Sequence, residues 1–401
     1  LRPPSPGELG TAETAVLREL VRATAGSVAG PRDRSTSRLD WTLLLDAAER
    51  HRLAPLVFEG LRAGGGDLPE VPAKARERLT NLRNLEIAKA VVRLHHLDEL
   101  GAVALREEMD LCLLKGAAFA TTLYRDPGLR PMSDIDVLVR PSDSESWSRE
   151  LSRLGYSLID VSDHASCYRR EETGVLVEIH RALTSSAAFL GLETGAILSR
   201  SRALGTADGF VRTLSWEDHL LHLCLHASFQ HGFRQAGVNA WDAHLVVERV
   251  DFDSDRFVAL SREGRLASWV YGGLAMTGAT FESPKLSRLL GRLAESVPRT
   301  VIRKARGFRA ERLLAPGPDS TFGTPLGRLG WTGWNLTTLS LLVEISRPRT
   351  PALRGSLGAR LGRIFQLARN HGLAFSGSTS KTAPALSLGT TPASLGEVRD
   401  V

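Results

Sequence analysis

The sequence predicts a chain of α+β or α/β class: a small mixed β-sheet core over residues 105–205, flanked by N-terminal and C-terminal helical regions. Three observations carry that reading. Apolar residues recur at helical spacing in "WTLLLDAAERHRLAPLVFEGLRA" (41–63) and in "PAKARERLTNLRNLEIAKAVVRLHHLDELGA" (72–102). Short apolar runs then take over: "DLCLLKG" (110–116), "DIDVLVR" (134–140) and "VLVEIHR" (175–181). The helical pattern returns at "LSWEDHLLHLCLHASFQHGF" (214–233) and continues to about residue 367.

Each element has a local reason. Pro55 interrupts the first helical stretch, and Pro72 sits near the start of the second, where a missing N–H costs least. "AAFATTLY" (117–124) suits a short helix after the glycine at 116. "SDSESWSRELSRLGY" (142–156) is helical, with Ser142 or Asp143 as its cap. "SLIDV" (157–161), "SCYRREE" (166–172) and 175–181 read as strands, the last two joined by a turn from Glu171 to Gly174. The expected division is a disordered N-terminus (1–14), a helical region (15–104), the core (105–205), a second helical region (206–370) and a disordered tail (371–401) rich in Ser, Thr, Gly and Pro. No internal repeat is visible.

The composition is that of an ordinary globular protein, 42% hydrophobic and 24% charged over 401 residues. No run approaches the roughly 18 apolar residues of a membrane span, and "LRPPSPGELGTAETAV" has no apolar signal region. Three cysteines, Cys112, Cys167 and Cys224, lack metal-type spacing and fit reduced thiols. The expectation is a cytoplasmic protein without membrane contact. Six Lys and 45 Arg give a net charge of only +6, compatible with a phosphate-bearing partner without demanding one.

The chemistry concentrates in "LRPMSDIDVLV" (129–139). Side chains alternate along a strand, so Asp134 and Asp136 share a face, ~7 Å apart, while Ile135, Val137 and Val139 face a core. Buried carboxylates demand a counter-charge, and oxygen ligands suit hard divalent ions, Mg²⁺ first and Mn²⁺ second. A solvated edge face is the plain alternative for a bare D-x-D. Glu178 tips the balance by offering a third carboxylate on a later strand. Upstream, "LLKGAAFA" (113–120) is a strand, a glycine and a helix start, where backbone N–H groups meet phosphate, Gly116 permits close approach and Lys115 neutralises an oxygen. Together these are parts for two-metal phosphoryl or nucleotidyl transfer. Arg130, and less directly Arg125, are placed to clamp a triphosphate. His180 shares the face of Glu178. His219, His222 and His226 form a helical stripe without the glutamate of a zinc helix, so packing or pocket lining suits them better than metal, with Trp241 and Asp242 completing such a pocket.

These residues bring a family into view. "LLKGAAFATTLYRDPGLRPMSDIDVLV" (113–139), "LSRLGYS" (151–157) and "VLVEIHRAL" (175–183) resemble the bacterial uncharacterised nucleotidyltransferase family of the DNA polymerase β-like superfamily. "LLDAAERHRLAPLV" (44–57), "EDHLLHLCLHASFQHGF" (217–233) and "AWDAHLVVE" (240–248) look like its helical flanks, so the resemblance spans about 40–250. It implies Mg²⁺- or Mn²⁺-dependent transfer of NMP from an NTP, with ATP the expected donor. By resemblance Asp134, Asp136 and Glu178 are the catalytic, metal-binding carboxylates, Glu178 serving as ligand or as base. Lys115, Gly116, Arg130, Ser133 and His180 form the nucleotide-binding set. The wider superfamily carries Gly-Ser where this chain has Lys115–Gly116. Members in natural-product gene clusters imply a small-molecule, peptide or protein acceptor. A silent nucleotide-binding protein of the same fold, or an RNA-modifying enzyme using the Arg-rich segments at 297–314 and 346–369, are the competing readings.

Overall fold

The computed structural model describes residues 9–25, 39–63, 71–185, 187–205, 210–233 and 236–315. The N-terminal part is four helices: α1 (Thr11–Ala23), α2 (Trp41–Arg50), α3 (Ala54–Ala63) and α4 (Ala73–Arg106). α2 starts where the Asp40 side chain accepts from the Leu43 N–H, and α4 follows Pro72. α1 begins four residues inside the expected disordered stretch 1–14. Leu9 and Val16 are buried, and apolar packing orders a segment that composition alone read as loose. Residues 1–8 lie outside the described residues.

The middle of the chain forms β1 (Cys112–Leu113), α5 (Lys115–Thr122), β2 (Asp134–Leu138), α6 (Ser144–Arg153), β3 (Tyr156–Val161), β4 (Ala165–Arg170) and β5 (Leu176–His180). Two short helices, α7 (Ala187–Leu190) and α8 (Thr194–Ser199), lead to β6 (Arg202–Gly205) and β7 (Phe210–Thr213). Helix α6 starts without the expected side-chain cap bond. Asp143 instead accepts from the Ser142 hydroxyl, at the end of a 3₁₀ turn (Pro141–Asp143). The seven strands make one mixed sheet in the order β3-β4-β5-β2-β1-β7-β6. β2 is the middle strand, parallel to β5 and antiparallel to β1. The expected core boundary at 205 divides the β6–β7 hairpin, because β7 pairs in parallel with β1 and belongs to the same sheet.

One face of the sheet is dry. Ile135, Val137, Val139, Val177 and Ile179 pack with Leu97 and Leu100 of α4 and with Trp147 and Leu151 of α6. On the opposite face Leu138 packs with Leu183, Ile197 and Leu198, while Asp134 and Asp136, nearer the start of β2, share that side.

Beyond the sheet come α9 (Trp216–Leu225), α10 (Ala236–Glu248), α11 (Ser254–Arg262), α12 (Ala267–Thr280), α13 (Pro284–Leu293), α14 (Arg299–Ala305) and α15 (Ala310–Leu313). Their apolar faces join those of α1, α2 and α3 in a single cluster, so the two helical flanks share one core. The join is close. A Cβ on Gly237 would sit 2.4 Å from the His51 Cβ; within the N-terminal flank, one on Gly60 would sit 2.0 Å from the Leu20 carbonyl oxygen. No described helix is long and apolar enough to cross a membrane. The expected helical pattern beyond residue 315, the Arg-rich 346–369 and the tail 371–401 lie outside the described residues.

His51 links the flanks as a neutral ring. Its Nε2–H donates to the Ala315 carbonyl (3.1 Å), and its Nδ1 accepts from the Gly237 N–H (3.5 Å). Burial lowers its pKa from 6.5 to about 4. Burial likewise lowers His219 to about 3, where the ring meets the Thr213 hydroxyl at 2.9 Å. Both unfold into groups that bind protons more tightly. Their stabilisation is therefore complete above pH 6.5 and falls away below it, down to about pH 4 for His51 and about pH 3 for His219. Each contributes a slope of about 1.4 kcal/mol per pH unit in that window. The urea midpoint should fall between pH 7 and pH 5, and His51→Asn should flatten the fall by about one proton; an unchanged slope would refute the assignment.

Candidate active site

Parallel pairing of β2 with β5 sets the site. Asp136 stands opposite Glu178, and Leu138 opposite His180, so the acidic and imidazole side chains of both strands project from one face. The side-chain ligand atoms of Asp136, Glu178 and His180 lie within 4.8 Å of one another. Among the described residues this is the one group of three or more such side chains able to hold a metal. Asp134 shares the face but lies outside that group, its Oδ1 accepting from the Ser133 hydroxyl at 2.8 Å.

Asp136 is 4% exposed, and its Oδ1 accepts from two donors: Lys115 Nζ at 2.9 Å and His180 Nε2 at 2.9 Å. The same imidazole nitrogen lies 3.1 Å from Glu178 Oε2. Burial opposes ionisation of Asp136, but the Lys115 charge and the His180 hydrogen bond outweigh it and hold the carboxyl well below its ordinary range. Burial likewise opposes charge on Lys115 and on His180; their acidic partners overcome it and raise both. Asp134 shifts the other way, upward, through burial and then the neighbouring Asp136 charge.

Lys115 reaches Asp136 because its backbone is left-handed, φ +42°, at the first residue of α5. A non-glycine residue held there costs of order 1–3 kcal/mol, a strain the ion pair offsets. The expectation that Lys115 serves a phosphate is thus met by a different arrangement, with the ammonium against the carboxylate of the middle strand. Gly116 lines the cavity beside it, and a Cβ there would come 2.8 Å from the Met132 side chain.

The carboxylates open into a cavity of about 490 Å³. One wall carries Lys115, Asp134, Asp136, Glu178 and His180; the other carries His164, His226, Gln230, His231 and Asn239. His226 begins a π-helical turn (His226–Gln230) that extends α9. It is the one member of the expected histidine stripe on the cavity lining; His222 is buried beside it, ring centroids 6.1 Å apart, and His219 sits against Thr213. Arg52, φ +57°, lines the cavity too, and its guanidinium has no carboxylate partner among the described residues. Sequence reading passed over Arg52, His164, Gln230, His231 and Asn239. The family-like flanks "LLDAAERHRLAPLV" and "EDHLLHLCLHASFQHGF" contain Arg52, Gln230 and His231 without singling them out.

The expected arginine clamps are placed differently. Arg130 lines the cavity but is 3% exposed, and its guanidinium grips Asp242 of α10, Nη2 to Oδ2 at 2.6 Å and Nε to Oδ1 at 3.0 Å. Tyr124 donates to the same carboxylate at 2.7 Å. Arg125 pairs with Glu59 at 3.1 Å away from the cavity. Trp241 stacks on His244, ring centroids 5.0 Å apart, and neither it nor Asp242 lines the cavity.

A family model described as uncharacterised nucleotidyltransferase matches residues 37–282. The chain belongs to that family. It is thus a transferase of the nucleotidyltransferase type. Two solved structures are similar at low level. The antibiotic-resistance factor ANT(2'')-Ia is 14% identical at a TM-score of 0.29, over 54% of this chain and 97% of that one. A nucleotidyltransferase-like protein from Paracoccidioides brasiliensis is 18% identical at 0.31, over 52% and 92%. Comparison with curated proteins gives no match.

In this nucleotidyltransferase the Arg130–Asp242 pair ties the sheet unit to α10 without water. Removing one partner strands a buried charge and costs about 3–5 kcal/mol. Arg130→Met and Asp242→Leu should each lower the unfolding free energy measured in urea by that order, and the two together should recover most of it. Additive losses in the double variant would contradict the pairing.

Proposed function

We propose that this nucleotidyltransferase moves an NMP from an NTP, ATP first, to a hydroxyl of a small molecule, peptide or protein, with Mg²⁺ or Mn²⁺. The observation that supports it most is the facing pair Asp136 and Glu178 on adjacent parallel strands, with His180 between them, at the floor of a cavity of nucleotide scale. The carboxylates of Asp136 and Glu178, with Asp134 on the same face, are an oxygen donor set that fits a hard divalent ion. When bound, such an ion neutralises phosphate charge and orients the α-phosphate.

The chain's own groups divide the remaining work. Glu178, less buried than Asp136 and facing the cavity, accepts the acceptor's proton as that oxygen bonds to the α-phosphorus and the bond to the pyrophosphate oxygen breaks. His180 fixes the Glu178 and Asp136 carboxylates by bridging them. Ser133 holds Asp134 in the same way. Arg52 supplies the guanidinium that Arg130 cannot, since the latter is committed to Asp242.

With Mg²⁺ and a small-molecule and peptide extract as acceptor, label should pass from ATP carrying it at the α-phosphate and not from ATP carrying it at the γ-phosphate. Asp136→Asn should abolish the transfer, by at least about a thousandfold, with the circular dichroism spectrum unchanged. Absence of transfer and of binding for all four NTPs with either ion would remove the reading. Arg52→Ala should weaken MgATP binding about tenfold in calorimetry, whereas Arg125→Ala should leave it unchanged; equal effects would take Arg52 out of the site.

A further inference from the structure

We propose that Lys115 is a fixed internal cation that replaces one of two divalent ions, so that the site works with a single ion per chain. The inference rests on the transfer reading above and narrows it. Three features carry it. Lys115 Nζ lies 2.9 Å from Asp136 Oδ1, the carboxylate in the middle of the acidic group, and its side chain is only 14% exposed. That oxygen also accepts His180 Nε2 at 2.9 Å, so two donors already converge on one atom. The Asp136 pair and the burial of the side chain hold the ammonium there, at the first residue of α5.

An Asp136 carboxylate shared by two ions would have to accept both at about 2.1 Å, the Mg²⁺–oxygen distance, and one would then press on the ammonium. A single ion still finds oxygens that Lys115 does not bond, since both donors sit on Asp136 Oδ1, Glu178 faces the cavity and Asp134 shares the same face. The lysine is thus a permanently placed charge of the kind a second ion would otherwise deliver. It should also reject that second ion in the complex with nucleotide.

The test counts ions directly. The full chain, saturated with a non-hydrolysable ATP analogue, is titrated with Mn²⁺ and the free ion is followed by its electron paramagnetic resonance. The wild-type chain should bind one Mn²⁺, Lys115→Arg should still bind one, and Lys115→Met should bind two. Two ions in the wild-type chain would overturn the inference while leaving the transfer reading intact, as would a single ion in a folded Lys115→Met. Failure of the analogue to bind with or without Mn²⁺ would overturn both. Should Lys115→Met not fold, the wild-type count alone decides, one ion upholding the inference and two rejecting it.

Discussion

The structure depends on keeping one carboxylate charged in a place where burial opposes it. Asp136 sits in the middle strand of a seven-stranded sheet, 4% exposed, flanked in its own strand by residues of a dry core. An unpaired charge there would cost several kcal/mol, a large share of the net stability of a domain. Lys115 and His180 meet the requirement, and each drags other structure into line. Lys115 requires a left-handed residue at the start of α5, and His180 requires the parallel register of β5 on β2. The register in turn brings Glu178 opposite Asp136. Architecture and chemistry share a cause here, because the same pairings that keep the carboxylate charged assemble the group able to hold a metal.

A second buried ion pair decides what surrounds that group. Arg130 leaves the loop before β2 and meets Asp242 on α10, with Tyr124 from the end of α5 on the same carboxylate. The pair fixes the helical body against the sheet. His51 adds a second tie through α10, and the joint core of α1 to α3 with α9 to α14 makes the flanks one body. The cavity therefore draws its walls from four separated stretches of sequence: the α2–α3 turn, the β1–β2 region, the β3–β5 strands and the α9–α10 region.

How much of this was legible in the sequence follows from how local each cause is. Strand alternation around Asp134 and Asp136, and the glutamate and histidine of "VLVEIH", are two-residue patterns, and both were readable. Partners remote in sequence were not. Nothing in "YRDPGLRPMSD" says that Arg130 meets an aspartate 112 positions later, so it read as a phosphate clamp. Lys115 read the same way because a strand-glycine-helix junction is a phosphate signature, whereas its actual partner depends on a backbone torsion that no spacing encodes. The β6–β7 hairpin escaped because each strand is only four residues long, although Asp208–Gly209 between them is a hairpin signal.

The two walls of the cavity differ in charge, and the difference orders a bound nucleotide. The strand wall is ionic. The opposite wall offers His164, His226, Gln230, His231 and Asn239, and His226 is kept neutral, its pKa pushed well below the ordinary value by burial and then by the Lys115 charge. The π-helical turn makes this wall possible. Its wider bond, His231 N–H to the His226 carbonyl at 3.0 Å, inserts a residue into the end of α9 and brings the rings of His226 and His231 to 4.3 Å of each other. The neutral His226 ring and the Gln230 and Asn239 amides match uncharged ligand surface better than phosphate oxygens, which do best where cations stand. Under the proposed transfer the phosphates accordingly belong beside Arg52 and the strand wall, and the uncharged parts of donor and acceptor belong against the π turn. The α-phosphate, where bond making and breaking meet, then falls at the boundary between the walls, within reach of Glu178.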